Sequence, residues 1–448
     1  MATDRTLVVG VGVSGLSVVR YLARNNAEFD LADQKPELPA ALLQNEPMLR
    51  ERTYYGGGWD SQLLRCYSQL IVSPGVPTRT DPFSVAATAG TEIIGDVELF
   101  ARDTAKPVLA VTGSNGKSTV VSMVGAILQA AGLRVAVVGN VGLACLDGLD
   151  DDNVDVYVLE LSSFQLETTK SLKPDVACVL NVCEDHLDRY DGIEDYAAVK
   201  RSIYRGAGQL VFNTDDSRTA PSSPDSAVSI SMNDTAAHWY IDDAQHMCGP
   251  DGFSIDSNVL NVAGGHNRIN ALAAMAISSC HLQRSVFGKC PVGELQQVMV
   301  NGLSSFNGLP HRSELICTVK GIEWFNDSKG TNVGACVSAI EGMNGPVVLI
   351  AGGRGKNADY APLKPVVAGK CRAVILIGED AKKIHHAIGD NVPVYFEQSM
   401  HDAVSRARDV ALHGDNVLLS PACSSFDMFD NFEARGMIFS EEVRKLCA

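Results

Sequence analysis

The chain has 448 residues, a length for about three domains, and its 46% hydrophobic and 20% charged residues are the composition of a folded chain, not a disordered one. Acidic side chains outnumber basic ones 53 to 37, and a net charge of −16 argues against a nucleic-acid binder, which needs a basic face. No apolar run reaches the ~18–20 residues of a membrane-spanning helix. Met1–Gly10 lacks the charged start and apolar core of a signal peptide. Ten His and twelve Cys never fall at zinc-finger or ribbon spacing, so the cysteines read as reduced, mostly buried thiols of a cytoplasmic protein.

The first predicted strand is Thr6–Gly10, followed by a glycine-rich turn, a helix over Ser14–Arg24, and strands at Phe29–Asp33 and Gln69–Ser73. This block ends near residue 95. A second opens with a strand at Pro107–Val111, turns through Thr112–Thr119 and enters a helix over Val120–Ala131. Strands recur at Arg134–Val138, Val154–Leu159, Val176–Asn181 and Leu210–Asn213. Residues 215–260 read as loops and minor edge strands, and an Ala-rich helix follows at Asn270–Cys280. The third block, from about residue 309, has strands at Glu314–Thr318, Val347–Ile350, Ala373–Ile377 and Val417–Leu419. Helices lie at Asn332–Glu341 and Asp402–Leu412, and the chain ends in one over Phe429–Leu446. Alternation of short β-rich runs with helical patterns is the mark of parallel sheets covered by helices.

Gly10-Val-Gly12-Val-Ser-Gly15 is a G-x-G-x-x-G that follows a strand and opens a helix, with Asp33 ending the next strand. Glycines let a backbone approach phosphate, and a helix N-terminus offers N–H groups to it. The motif points to a phosphate-bearing ligand and does not say which: a nicotinamide or flavin cofactor and another anionic nucleotide both fit. The second motif is richer. Thr112-Gly-Ser-Asn-Gly-Lys-Ser-Thr119 sits between a strand and a helix and ends in the Gly-Lys-Ser/Thr core of a P-loop, where backbone N–H groups cradle phosphate, Lys117 reaches the β/γ oxygens and Ser118 can ligate Mg²⁺. It departs from the strict P-loop pattern, because the first glycine would fall at Val111. Glu160 ends an apolar strand, where a carboxylate can face a metal–nucleotide site. His186 in a polar loop and Lys200 on the next helix would, by residue type alone, be a surface histidine and a solvated lysine.

The strings TGSNGKST, ELSSFQLE (160–167), NVCEDHLDRY (181–190) and GGHNRINALAA (264–274), with LPHRSEL (309–315), NDSKGTN (326–332), AGGRGKNADY (351–360) and SPACSSFDMFDNFEARG (420–436), resemble the Mur ligase family, in order and across essentially the whole chain. The third-block strings DSKGTN and SPACSSFD resemble its D-glutamate-adding branch. The resemblance implies an α/β protein of three domains. These are a Rossmann-like domain for a UDP-substrate (1–95), a central P-loop ATPase-like domain (96–308) and a Rossmann-like amino-acid-binding domain (309–448). It implies an ATP-dependent ligase that joins D-glutamate to UDP-N-acetylmuramoyl-L-alanine through an acyl phosphate, in peptidoglycan precursor synthesis. ATP is then a co-substrate, Mg²⁺ fills two sites, and no NAD or flavin takes part. The expected partners are small molecules only, with no nucleic acid, no membrane insertion and a monomeric state.

The resemblance also implies residue roles. Gly113, Ser114, Asn115, Gly116, Lys117, Ser118 and Thr119 would hold ATP phosphates, with Asn270 at adenine and Arg312 and Asp327 contributing from the third domain. Ser118 and Glu160 would hold one Mg²⁺, and His186 with a carbamylated Lys200 the second. Lys329 would lie by the phosphates and the reacting carboxylate. Ser14, Gly15, Leu16, Gln34, Lys35, Ser73, Pro74 and Gly75 would cradle uridine diphosphate, with Asn140 near the acceptor carboxylate. Thr331, Lys356, Ser425 and Phe432 would hold D-glutamate. His311 is left open between a ligand and a packed partner of Arg312. Three rival readings remain: an NAD-dependent oxidoreductase built on Gly10–Gly15, a P-loop regulatory switch with no ligase chemistry, and another amino-acid-adding ligase of the same family.

Overall fold

The computed structural model describes residues 3–262, 264–285, 291–355 and 358–447. Each sheet is mostly parallel, and each loop that matters leaves the carboxyl end of a strand. In the N-terminal region β1 (Thr3–Val9) leads into α1 (Val13–Arg24), then β2 (Phe29–Asp33), β3 (Tyr54–Gly56), β4 (Tyr67–Val72) and β5 (Glu92–Ile94). The five strands run parallel in the order β3-β2-β1-β4-β5. The order reverses between β1 and β4, opening the crevice where such sheets bind ligands.

The central sheet has nine strands. β6 (Val108–Thr112) feeds α2 (Lys117–Ala130), and β7 (Val135–Gly139), β8 (Val156–Glu160) and β9 (Val176–Val179) follow. Beyond α3 (Ile193–Arg201) come β10 (Gln209–Asn213), β11 (Val228–Ser231), β12 (Trp239–Ile241), β13 (His246–Cys248) and β14 (Ser254–Asp256). The order is β14-β13-β12-β11-β10-β9-β6-β8-β7, parallel from β7 to β12 and antiparallel at β13 and β14. The 215–260 segment therefore extends the sheet edge with short strands. α4 (His266–Ser285) is longer than its sequence pattern suggests, and α5 (Val292–Ser305) escaped that pattern altogether. α2 starts at Lys117, three residues earlier than expected, because the phosphate-loop turn itself begins the helix. The apolar side chains of α2 (Val120, Met123, Val124, Ile127) pack with Ala271, Ala274 and Met275 of α4 and Leu295, Met299 and Leu303 of α5 in one core.

The third sheet has the order β15-β16-β20-β17-β18-β19. It is built from β15 (Glu314–Val319), β16 (Ile322–Asn326), β17 (Val347–Gly352), β18 (Cys371–Ile377), β19 (Val394–Phe396) and β20 (Asn416–Leu419). β15 and β16 form an antiparallel hairpin, and the rest are parallel. α6 (Val333–Gly342) and α7 (Phe432–Cys447) cover the sheet, α7 beginning three residues later than its pattern suggested. A second core runs on from the N-terminal sheet (Val8, Leu31, Ile71) into the central one (Ala110, Tyr157, Leu159), so these two regions pack without an aqueous gap. Among the described residues, no helix is long and apolar enough to cross a membrane.

Candidate active site

Strand order explains why distant residues meet. β9, β6, β8 and β7 are neighbours, so Asn181, the phosphate loop, Glu160 and Asn140 leave adjacent strand ends. Gly116 sits at φ +80° as the N-cap of α2, and a Cβ there would strike Oδ1 of Asn270. Only glycine suits both the backbone and the close approach of the α4 residue. After β8, Ser162 and Gln165 form a reciprocal capping box: Ser162 Oγ accepts from the Gln165 amide at 3.2 Å, and Gln165 Oε1 accepts from the Ser162 amide at 3.0 Å. That turn places Phe164 edge-on to the His186 imidazole, ring centroids 4.7 Å apart. His186 itself adopts φ +57°, a left-handed backbone uncommon outside glycine and typical of functional loops.

A cavity of about 300 Å³ collects Lys117, Glu160, His186, Lys200 and Lys329 on one wall system, together with Asn140, Thr331 and P-loop residues Ser114–Gly116. All five side chains expected to do the chemistry thus line a single space. Lys117 Nζ donates to the carbonyls of Gly113 (2.8 Å) and Ser114 (2.9 Å), and Lys200 Nζ donates to the same Gly113 carbonyl at 2.8 Å. Lys200 is 1% exposed and its ammonium lies 4.5 Å from the Tyr196 ring centroid. Burial first, and the Lys117 charge second, push the Lys200 amine well below its ordinary pKa. Burial likewise lowers Lys117. Glu160 is 1% exposed: Oε1 accepts from Asn140 Nδ2 at 2.8 Å, and Oε2 has no hydrogen-bond partner.

The third domain closes this space. Arg312 Nη2 donates to Ser118 Oγ at 2.7 Å, and Asn332 exchanges amide hydrogen bonds with Asn115 at 3.0 and 3.2 Å. Lys329 lies 3.7 Å from the Phe432 ring centroid, and burial and then Arg312 lower its pKa to about 8. Asp327 accepts from Ser420 Oγ (2.8 Å) and the Ser313 amide (3.1 Å), and burial pushes its carboxyl up to about 6. A neighbouring cavity of about 280 Å³ lies between P-loop and third domain and is lined by Asn115, Gly116, Thr119, Asn270, Arg312 and Asp327, all expected nucleotide residues. It adjoins the polar cavity, with Asn115, Gly116, Arg312 and Lys329 lining both.

Other expected residues form separate groups. Ser14, Gly15 and Leu16 start α1, Gln34 and Lys35 follow β2, and Ser73, Pro74 and Gly75 follow β4, so all eight lie at the carboxyl ends of the adjacent strands β2, β1 and β4. Ser73 Oγ donates to the Gly10 carbonyl at 2.7 Å, and a Cβ on Gly15 would strike that carbonyl. Asn140 lies in the polar cavity, not with this group. Ser425 follows β20 and is 2% exposed, while Phe432 opens α7. Lys356 lies outside the described residues. His311 is a packed side chain: its Nδ1 lies 3.0 Å from Asn326 Nδ2, and it fills the space over Gly436. Sequence reading passed over Asp185, Tyr196 and Asn332, all of which line the polar cavity. Asp185 stood in view beside His186, and Tyr196 precedes Lys200 by one helical turn.

Three mostly parallel α/β sheets, the central one carrying a P-loop that faces the third domain across a polar cavity, define a phosphate-binding α/β fold. Residues 4–95 match the Mur ligase MurD-like N-terminal domain, 111–278 the Mur ligase middle domain and 311–423 the Mur ligase glutamate ligase domain. The UDP-N-acetylmuramoylalanine--D-glutamate ligase of Pseudomonas aeruginosa is 44% identical, covering 98% of both chains. Those of Saccharophagus degradans (42%; 100% of this chain, 99% of the relative) and Legionella pneumophila (43%; 98% and 99%) are similarly close. Among solved structures, a pseudomurein peptide ligase type C from Methanothermus fervidus superposes with a TM-score of 0.62 at 17% identity (99% of this chain, 100% of that one). The MurF ligase of Thermotoga maritima gives 0.61 at 15% (98% and 95%). The chain belongs to the Mur ligase family.

The oxidoreductase reading of Gly10–Gly15 is corrected by this match. Asp33 ties the turn after β1 to the residues after β2, accepting from the Val11 amide at 2.6 Å and the Lys35 amide at 3.0 Å.

Proposed function

We propose that this chain is an ATP-dependent ligase that joins D-glutamate to UDP-N-acetylmuramoyl-L-alanine in peptidoglycan precursor synthesis, with boundaries near residues 95 and 308 separating domains for UDP-substrate, ATP and amino acid. The observation that carries this reading is the single polar cavity gathering Lys117, Glu160, His186, Lys200 and Lys329. Near-full-length similarity to D-glutamate ligases supports the substrate choice.

A free carboxylate is a poor acyl donor. Transfer of the γ-phosphoryl group of ATP to the alanyl carboxylate makes an acyl phosphate. The amine of D-glutamate then attacks the carbonyl carbon, an amide forms, and phosphate leaves with ADP already released from the bond. The reactants are all anions on a chain of charge −16. Lys117, Lys329 and Arg312 set a local positive field against that repulsion and against charge on the moving phosphoryl group. Asn270 and Asp327 hold the nucleoside end. Thr331, Ser425, Phe432 and Lys356 receive D-glutamate.

Mg²⁺ fits the residues present. Glu160 offers a buried oxygen with no hydrogen-bond partner, and Ser118 keeps a second lone pair beside its bond from Arg312. Among the described residues no three His, Cys, Asp or Glu side chains form a metal cage. When bound, Mg²⁺ neutralises phosphate charge. Ser118 and Glu160 would hold one ion, and His186 with a carbamate on Lys200 a second. Carbon dioxide adds only to a neutral amine, which the depressed pKa of Lys200 supplies.

Phosphate release with ATP, UDP-N-acetylmuramoyl-L-alanine and a panel of D- and L-amino acids tests the whole reading. Release that depends on D-glutamate supports it. Release that ignores the amino acid, or that requires a different one, overturns it.

A further inference from the structure

Arg189 has no part in the roles proposed above, yet it joins two of the sites. Its side chain is 12% exposed between the N-terminal and central regions. Nη1 donates to the Pro74 carbonyl at 3.0 Å, and Nη2 to the Val76 carbonyl at 3.2 Å and to Glu167 Oε2 at 2.8 Å. These carbonyls belong to the loop after β4. The other face of the contact is aromatic. The guanidinium carbon lies 3.9 Å from the Phe164 ring centroid, and Phe164 is the ring that meets His186 edge-on at 4.7 Å. The Arg189 amide also donates to the His186 carbonyl at 2.9 Å, at the residue whose backbone is left-handed.

A guanidinium is a rigid plane with donors fixed in a fork. It can bond two carbonyls and a carboxylate while its central carbon sits over a ring only if loop and ring keep one spacing. A shift of the 74–76 carbonyls must therefore tilt or draw back the cation. The cation–ring attraction is short-ranged, so Phe164 feels the change, and with it the imidazole packed on its edge. A lysine, with one compact charge, could not hold all these partners at once.

We infer that Arg189 is a positioning residue through which the loop after β4 sets the placement of the His186 imidazole, so that uridine diphosphate at the N-terminal crevice is registered in the polar cavity. This rests on the proposed reading of Ser73–Gly75 as part of a uridine diphosphate site.

The test uses the full chain, free of nucleotide and metal, with UDP itself as probe. ¹⁵N-labelled histidine spectra report the His186 ring, assigned by its loss in His186→Gln. In the wild type, saturating UDP moves the His186 resonance. In Arg189→Met, UDP binds about tenfold more weakly, as expected for losing charge-assisted bonds to the loop, and the His186 resonance stays still at saturation. ADP affinity is unchanged in that variant, which reports an intact fold. Phe164→Leu separates relay from brace: it leaves the Arg189 bonds to Pro74 and Val76, so UDP affinity is kept while the His186 response is lost. A His186 resonance that still follows UDP in Arg189→Met, or that is silent in a wild type with UDP bound, overturns the inference alone. A wild type that fails to bind UDP overturns the reading of the N-terminal crevice and the inference with it.

Discussion

Lys200 shows what residue type alone conceals. A lysine near the end of a helix reads as solvated, yet the side chain is 1% exposed and aimed at a carbonyl already used by Lys117. Burial and a neighbouring like charge both favour the neutral amine. If that amine carries a carbamate, Lys200→Ala should lose activity by at least about a hundredfold, the scale of a missing electrostatic group at such a site. Added acetate or formate should restore part of it. Loss without rescue at any carboxylate concentration counts against the carbamate. Asp327 makes a different kind of prediction. Its carboxyl pKa is raised to about 6 by burial, so the folded chain holds this proton more tightly than the unfolded chain, where it leaves near pH ~4. The stability this group contributes is full below the unfolded value and is lost as pH rises through 6. Asp327→Asn keeps the shape without the titration. Its melting temperature should exceed that of the wild type above pH 6, and the gap should close as pH falls to 4. A gap that does not vary with pH would discard the assignment.

At the scale of elements, the strands that support the site were legible because apolar β-branched runs such as Val108–Thr112 and Val176–Val179 are bounded by glycine and polar turns. The P-loop and Glu160 were legible for the same reason, since chemistry-bearing residues sit where those runs stop. Convergence was not legible: that β8 and β9 flank β6 is fixed by packing, not by any local signal. α5 was missed because Gly293 and Gly302, with Asn301, Ser304 and Ser305 near its end, mask its pattern. Yet Gly302 is where α5 lies on the P-loop helix. A Cβ there would stand 2.5 Å from the Ile127 Cα and 2.7 Å from its amide nitrogen. Backbone cannot yield as a side chain can, so Gly302→Ala should destabilise by about 1–3 kcal/mol through overpacking. Calorimetry should show a lower melting temperature, with turnover per folded molecule kept. An unchanged melting temperature would mean that the two helices separate freely.

For the whole molecule, the bonds from Arg312 to Ser118 and between Asn332 and Asn115 describe a closed cleft, since each pair spans the central and third domains. The residues proposed to act on ATP stand on both sides of the segment 306–313 that joins α5 to β15, so ligands that touch both sides favour closure. Small-angle scattering should show compaction when nucleotide and UDP-substrate are present together. Asn332→Ala should need more ligand to reach the same radius. A radius that ignores both ligands would remove domain closure from the mechanism. Three domains were legible from length and alternation. The shared core of the first two was not, because residues such as Tyr157 and Phe100, 5.1 Å apart ring to ring, show no sign in sequence of which domain they will face.

One oxygen atom, the Gly113 carbonyl, accepts from two lysine side-chain nitrogens. If carbon dioxide captures the Lys200 amine, as proposed above, Lys117 keeps that carbonyl alone. Dissolved gas would then be a component of the site. A preparation sparged with argon should lose turnover and recover it on return to bicarbonate, with its fold and nucleotide affinity unaltered as followed by circular dichroism and ADP titration. Constant turnover through that cycle would mean that Lys200 works as a plain amine.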